Sequence, residues 1–218
     1  MKPLHIFLVL ATLAACGGNA AAQTRNINFE LLVAAREGSE ASVRTLIEQG
    51  ANPNSRNRLG DTPLNIAARN GQLGLAKLLI ERGADVNIAN LARVSPLMGA
   101  AFGGHTEVLG LLIAHKAQLD PTDRVQKTAM IYAAGNGRTE CVRVLLDAGV
   151  EVNARYAHDA TALMWAAAYG HDAVVRLLLA RGAAAGARDD RGKTAAVMAE
   201  EGGHAETSRL LRAGQPAS

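Results

Sequence analysis

Residues 60–87 read GDTPLNIAARNGQLGLAKLLIERGADVN, and this stretch decides the fold. Thr62 can lend its side-chain oxygen to cap a helix, and Pro63 stands at the first helical position, where its missing N–H costs nothing. Leu64, Ala67 and Ala68 then present a narrow apolar face. Gly71 closes that helix, as a left-handed residue after the last turn requires. Leu75, Ala76, Leu78 and Leu79 mark a second helix with a one-sided core stripe, and Gly83 closes it in turn.

The same unit recurs along the chain. Steps of 33 residues from Phe29 reach Thr62, Ser95, Thr128, Thr161 and Thr194 without an insertion. Gly38, Gly71, Gly104, Gly137, Gly170 and Gly203 form one column, Gly50, Gly83, Gly149 and Gly182 a second, and Gly60 and Gly192 a third. The second-helix stripe repeats as Val108-Leu109-Leu111-Leu112, Cys141-Val142-Val144-Leu145 and Val174-Val175-Leu177-Leu178. Cys141 therefore reads as a packing residue. Glu107, Glu140 and Asp172 fall in first turns, where the helix dipole favours negative charge.

One copy departs from the rule. Lys116 stands where the others have Gly, and a left-handed non-Gly residue costs about 1 kcal/mol. With Pro121 following, the junction of the third and fourth copies is expected to be less stable or bent. The end copies are polar where the inner ones are apolar, with Thr45 in the first and Thr207, Ser208 and Arg212 in the sixth. Stacked repeats need such caps to stay soluble.

A 33-residue period with this content resembles the ankyrin repeats. The resemblance implies an all-α solenoid of about six helix-turn-helix units over residues 28–214, joined by β-hairpin loops and followed by a disordered tail at 215–218. The family's Thr-Pro-Leu-His histidine is replaced by Asn65, Met98, Ile131, Met164 and Val197, so its hydrogen bonds between repeats are expected to give way to apolar packing. The resemblance also implies a concave face that binds a protein partner. Carried onto this chain, the hairpin positions of that face include Arg58, Leu59, Leu91, Arg124, Val125, His158 and Arg191. Its first-helix positions include Arg69, Asn70, Phe102, Asn136 and Tyr169.

Composition fits a packed solenoid. The 218 residues carry 23 Lys+Arg against 20 Asp+Glu, a formal charge of +3, which removes the electrostatic argument for nucleic acid. Aromatics make up only 3% of the residues, while 43 are Ala and 22 Gly. Four of the seven aromatics, Phe102, Tyr132, Trp165 and Tyr169, gather on the first helices of the third to fifth copies. Rings and Arg dominate interface energetics, so scarcity makes this cluster a pointer to the binding face. Phe102 and Tyr169 are expected to be exposed; Tyr132 and Trp165 share a column with Ile66 and read equally as exposed or packed.

No cofactor, metal or catalytic motif stands out. His105, His171 and His204 recur at one column, but equivalent positions in a stack lie about 10 Å apart, too far to share one ion. His115 and His158 are isolated. An enzyme is the weakest reading, and a deep pocket around His158 and Tyr169 would reopen it.

The first residues read differently. Lys2 precedes a short apolar run, Leu4 to Ala15, which is too short to span a bilayer and suits a signal peptide over residues 1–22. Leu13-Ala14-Ala15-Cys16 resembles the lipobox of bacterial lipoproteins, which implies lipidation at Cys16 and, with Gly17 following, the outer membrane. Ala20-Ala21-Ala22 before Gln23 instead fits a cleavage that releases a soluble periplasmic protein. Both readings stand at this point, with residues 23–27 as a tether. An extended Gly17–Arg25 segment would reach about 30 Å. The sequence thus predicts an exported, monomeric scaffold for a protein partner, or alternatively a secreted effector acting on another organism.

Overall fold

First helices begin where the sequence supplies an oxygen. The hydroxyls of Thr62, Ser95, Thr128, Thr161 and Thr194 each accept the N–H three residues on, and Pro63 and Pro96 occupy the first helical position. A computed structural model describes residues 16–213 of the chain, with side chains described for residues 26–213. It holds twelve α-helices in six pairs: α1 (Cys16–Glu37) with α2 (Glu40–Glu48), α3 (Pro63–Arg69) with α4 (Leu73–Glu81), α5 (Pro96–Gly103) with α6 (Thr106–Ala114), α7 (Ala129–Gly135) with α8 (Thr139–Asp147), α9 (Ala162–Ala168) with α10 (Asp172–Ala180), and α11 (Ala195–Glu201) with α12 (Ala205–Ala213).

Each pair packs on the next, first helix to first helix and second to second. Ala67, Ala68, Ala100, Ala101, Ala133, Ala134, Ala166 and Ala167 are all fully buried, so neighbouring first helices approach closely. They lie nearer to one another than the second helices do. The second-helix stripe fills the space behind; Leu111 and Val144 are only half-buried, unlike Leu78 and Leu177 in the same column. Cys141 is buried, and desolvation pushes its thiol upward despite a contact with the Thr106 hydroxyl at 3.6 Å.

All twelve glycines of the three columns have positive φ. So does Lys116, at 64°, as its column demands, but Arg93, Gln126, His158 and Asp159 share this conformation. Left-handed backbone is thus spread over five non-Gly residues. Arg93, Gln126 and Asp159 occupy the column of Gly60 and Gly192, where the turn geometry, not the residue type, sets φ.

Four expectations need correction. Among the described residues there is no strand: the loops expected as β-hairpins are tight fingers at residues 57–61, 90–94, 123–127, 156–160 and 189–193. Each is closed by two backbone bonds, such as Asn57 N–H to Asp61 O at 3.0 Å with Gly60 N–H to Asn57 O at 2.9 Å, and Asp189 N–H to Lys193 O at 3.0 Å with Gly192 N–H to Asp189 O at 2.9 Å. A side chain does the rest, since the Oδ1 atoms of Asn57, Asn90, Asp123 and Asp189 each accept two backbone N–H groups within their own finger. Second, Thr207 and Ser208 are buried instead of facing water. Thr207 donates to Asp172 at 2.5 Å and Ser208 to Glu200 at 3.2 Å, so the polar substitutions at the end of the stack are satisfied internally.

Third, the bonds between repeats that the missing histidine suggested were lost survive at one place. Asn65 accepts the Thr62 N–H at 2.8 Å and donates to Ile88 O at 3.1 Å in the next loop. A short amide can do there what an imidazole would. Fourth, residues 23–27 lie inside α1, so they form a helix and not an extended tether. At 1.5 Å per residue a helical Gly17–Arg25 spans about 14 Å. Residues 1–15 of the signal peptide expected over 1–22, and the tail expected at 215–218, lie outside the described residues.

Candidate functional site

The fingers and the inner ends of the first helices share one face. Leu59, Leu91 and Val125 on the fingers and Phe102 and Tyr169 on the helices are 50–66% exposed, a row of large apolar groups left in water. Arg58, Arg69, Asn70, Arg124, His158 and Arg191 are exposed along the same face. Asn136 is only half-buried and turns inward, its amide donating to Tyr132 O at 2.7 Å. Arg69 lies 3.7 Å from the buried carboxylate of Asp61, and Arg191 pairs with buried Asp189 at 2.8 Å.

The aromatic cluster forms two groups. Phe102 meets Tyr132 edge to face with centroids 5.8 Å apart, and Trp165 stacks on Tyr169 at 6.2 Å, with His171 stacked beyond at 6.3 Å. Tyr132 and Trp165 are half-buried. Both roles suggested by their column therefore apply at once: inner edge packed, outer face open. The Lys127 ammonium sits 4.7 Å from the Trp165 ring centre and 5.7 Å from that of Tyr132, joining the two groups. The Tyr132 hydroxyl donates to Asp123 Oδ2 at 2.5 Å; burial, then that carboxylate, push its phenol up to about 12. It stays protonated and holds the third finger against α7.

The histidine column has a clear structural task. His171 Nε2 bonds to Gly135 O at 3.0 Å and His105 Nε2 to Arg69 O at 3.0 Å, each closing the end of the preceding first helix. Arg138 does the same to Phe102 O at 3.2 Å. No group of three metal-ligating side chains comes together among the described residues.

A pocket of about 540 Å³ does open around His158 and Tyr169, between α9, α11 and the fourth and fifth fingers. Met164, Trp165, Ala168 and Met198 line it, with Arg191 and Glu201 at its edge. Of the titratable groups that line it, Asp189 is paired with Arg191 at 2.8 Å and Glu201 with Lys193 at 2.7 Å. His158 bonds Asp190 at 2.9 Å, but that pair stands in solvent at the rim. The chemistry on offer is burial of an apolar group. Sequence reasoning mapped Tyr169, His158, Arg191 and Ala168 to this face but did not single out Met164 or Met198, because Met164 stands in the column of the family's histidine and Met198 in the column of Ile66, where packing was an equal reading.

A larger cleft of about 760 Å³ lies between the third and fourth fingers. Arg93, Asp120, Arg124, Glu151, Arg155 and Tyr156 line it, and charges of both signs face one another there. Its origin is a gap in the bonds that join neighbouring loops. Asn54, Asn87 and Asn153 each reach from one loop to the next, donating to Gly83 O, Lys116 O and Gly182 O, and accepting the N–H of Asp85, Gln118 and Ala184. Asp120 holds the remaining position and cannot donate. Arg56 and Arg155 similarly reach Ala89 O and Arg188 O, but Thr122 is too short.

Comparison with known families agrees with this architecture. A family profile described as "Ankyrin repeats (3 copies)" matches residues 7–90 and 83–156, and one described as "Ankyrin repeats (many copies)" matches residues 145–199. Comparison with curated proteins yields no match. Six stacked helix pairs, finger loops and family profiles covering most of its length together place this chain in the ankyrin-repeat family.

Proposed function

We propose that this protein is a non-catalytic, monomeric scaffold that is exported to the cell envelope, is lipid-anchored through Cys16, and binds a protein partner through its concave face. Ankyrin repeats are generally protein–protein interaction modules. The observation that carries the binding face is the row of exposed Leu59, Leu91, Val125, Phe102 and Tyr169 beside Arg-bearing fingers. Large apolar groups kept in water along one face are what an interface core needs.

The Leu13-Ala14-Ala15-Cys16 stretch supports the anchor. Among the described residues no helix is long and apolar enough to cross a membrane. In this reading acyl chains on Cys16 supply the attachment. Residues 17–25 are helical, so in this reading the repeats would stand off the lipid on a helical stalk.

Palmitate labelling of the wild type and Cys16→Ser tests the anchor. Label on the wild type alone is expected, whereas an unlabelled protein recovered in the soluble periplasm would favour cleavage after Ala22, and one recovered in culture supernatant a secreted effector. Crosslinking in envelope extracts tests the face, with loss of partners expected for the Phe102→Ala/Tyr169→Ala variant. Unchanged recovery would sink it.

A further inference from the structure

We infer that the pocket between α9, α11 and the fourth and fifth fingers is an anchor site that takes one bulky apolar side chain, of the leucine, methionine or phenylalanine kind, from the protein partner. The inference rests on the binding face proposed above and names the chemistry of its occupant.

The pocket arises from a mismatch in side-chain size. Along the stack, the residue in the Ala168 column packs against the residue in the Trp165 column of the next repeat. Gly99 leaves room beside Arg69, Phe102 and Tyr132 meet edge to face, and Gly135 leaves room beside the Trp165 ring. The last of these pairs is Ala168 with Met198, and neither fills the space that Trp165 and Tyr169 wall off. Gly202 cannot be enlarged to do so, since a Cβ there would meet Ala168 O at 2.7 Å.

Charge decides what can enter. Every ionic group around the pocket already has a partner in the chain: Arg191 with Asp189 at 2.8 Å, Lys193 with Glu201 at 2.7 Å, and His158 with Asp190 at 2.9 Å. Asp189 is further saturated by backbone. Burial would raise its carboxyl, but the N–H groups of Lys193 and Arg191 and the Arg191 guanidinium hold it below the ordinary carboxylate range. A charged guest would lose its hydration and find no free counter-charge among the lining residues, whereas an apolar guest only displaces water from Trp165 and Met198. The Met198 thioether can adjust to guests of different shape over a floor fixed by Met164, whose sulfur accepts the Thr161 N–H at 3.5 Å, and the stacked Trp165–Tyr169–His171 wall keeps the opening rigid.

The test is a library of short random peptides panned on the wild-type protein, with binding of individual Trp-free peptides read by the fluorescence of Trp165, the chain's one tryptophan. The selected peptides should share one Leu, Met or Phe whose change to Ala weakens binding about tenfold, with a blue shift of Trp165 emission on binding. Ala168→Leu, which fills the pocket, should weaken binding by a similar factor. If that variant melts early, Tyr169→Ala, at an exposed ring, carries the same expectation. Peptides that share only charged residues, or that bind Ala168→Leu and Tyr169→Ala as well as the wild type, would overturn the anchor site, as would failure to enrich any peptide. Phe102→Ala separates the two claims: binding sensitive to Phe102→Ala but not to the pocket variants leaves the face standing without the anchor, and indifference to all three removes both.

Discussion

Residues 153–158 and 120–125 occupy the same columns one repeat apart and behave in opposite ways. Around the first stretch, Asn153 bonds Gly182 O and the Ala184 N–H, Arg155 bonds Arg188 O at 3.0 Å, and His158 O accepts the Asp190 N–H at 3.1 Å. Around the second, Asp120, Thr122 and Val125 make none of the equivalent bonds. The earlier fingers do make the last of them, through Leu91 N–H to Leu59 O and Arg124 N–H to Ala92 O. The contrast shows that the helices of a repeat stack can run on without interruption while the loops that tie them do not.

The cause is local on both sides of the gap. Asp120 offers acceptors where an amide would offer both kinds of group, and Thr122 lacks the reach of Arg. On the far side, Tyr156 replaces the Asn or Asp that folds every other finger. Without that acceptor the fourth finger closes through a 3₁₀ turn, Ala157–Asp159, with His158 at φ 60° and Asp159 at φ 56°. No bond joins the Ala157 N–H of this turn to Val125 O. The weak point thus lies at the junction that Lys116 and Pro121 mark, but Lys116 itself is tied by Asn87, and the missing bonds begin four residues later.

The comparison can be broken most directly by cutting the intact side. Asn153→Ala/Arg155→Ala should lose about 2 kcal/mol in urea unfolding, whereas Asp120→Ala/Thr122→Ala should change stability by less than about 0.5 kcal/mol. Equal losses would show that the cross-loop bonds are not what distinguishes the two junctions. Repairing the gap is the converse. Asp120→Asn/Thr122→Arg should gain about 1 kcal/mol and slow amide exchange at Glu151, and a gain without slower exchange would mean the new side chains act elsewhere.

A smaller effect isolates the backbone. Lys116→Gly should relieve left-handed strain and raise stability by up to about 1 kcal/mol, while Gly149→Ala one repeat on should lower it by a similar amount. No response at Lys116 would mean that its side chain compensates the strain. A further effect appears only in alkali. Below pH 10 both folded and unfolded chains keep the Tyr132 proton; between 10 and about 12 only the folded chain keeps it, so stability should fall as pH rises through that window. Asp123→Asn removes the carboxylate but keeps the finger's acceptor, so phenolate absorbance should show Tyr132 titrating lower. An unchanged titration would place the cause in burial alone.

Much of this was legible in one dimension. The period, the capping hydroxyls and the glycine columns located every helix from α3 onward, because each signal is local and repeats. The exposed face was legible in part: Phe102 and Tyr169, expected in water from their variable positions, are 50% and 54% exposed. Asn136 was assigned to that face as well, but its amide turned back onto its own helix. Thr207 and Ser208 misled for a similar reason, since a polar residue reads as exposed until a neighbour such as Asp172 or Glu200 is known to meet it.

By itself, then, the order of residues determined the repeat, its length, its caps and its packed columns, because 33-residue recurrence and helical periodicity depend only on neighbours along the chain. Only the tertiary structure decided which finger lost its ties and where a pocket opened. Those features depend on pairs such as Asp120 with Gly149 and Ala168 with Met198, about 30 residues apart in sequence and adjacent only when one repeat rests on the next.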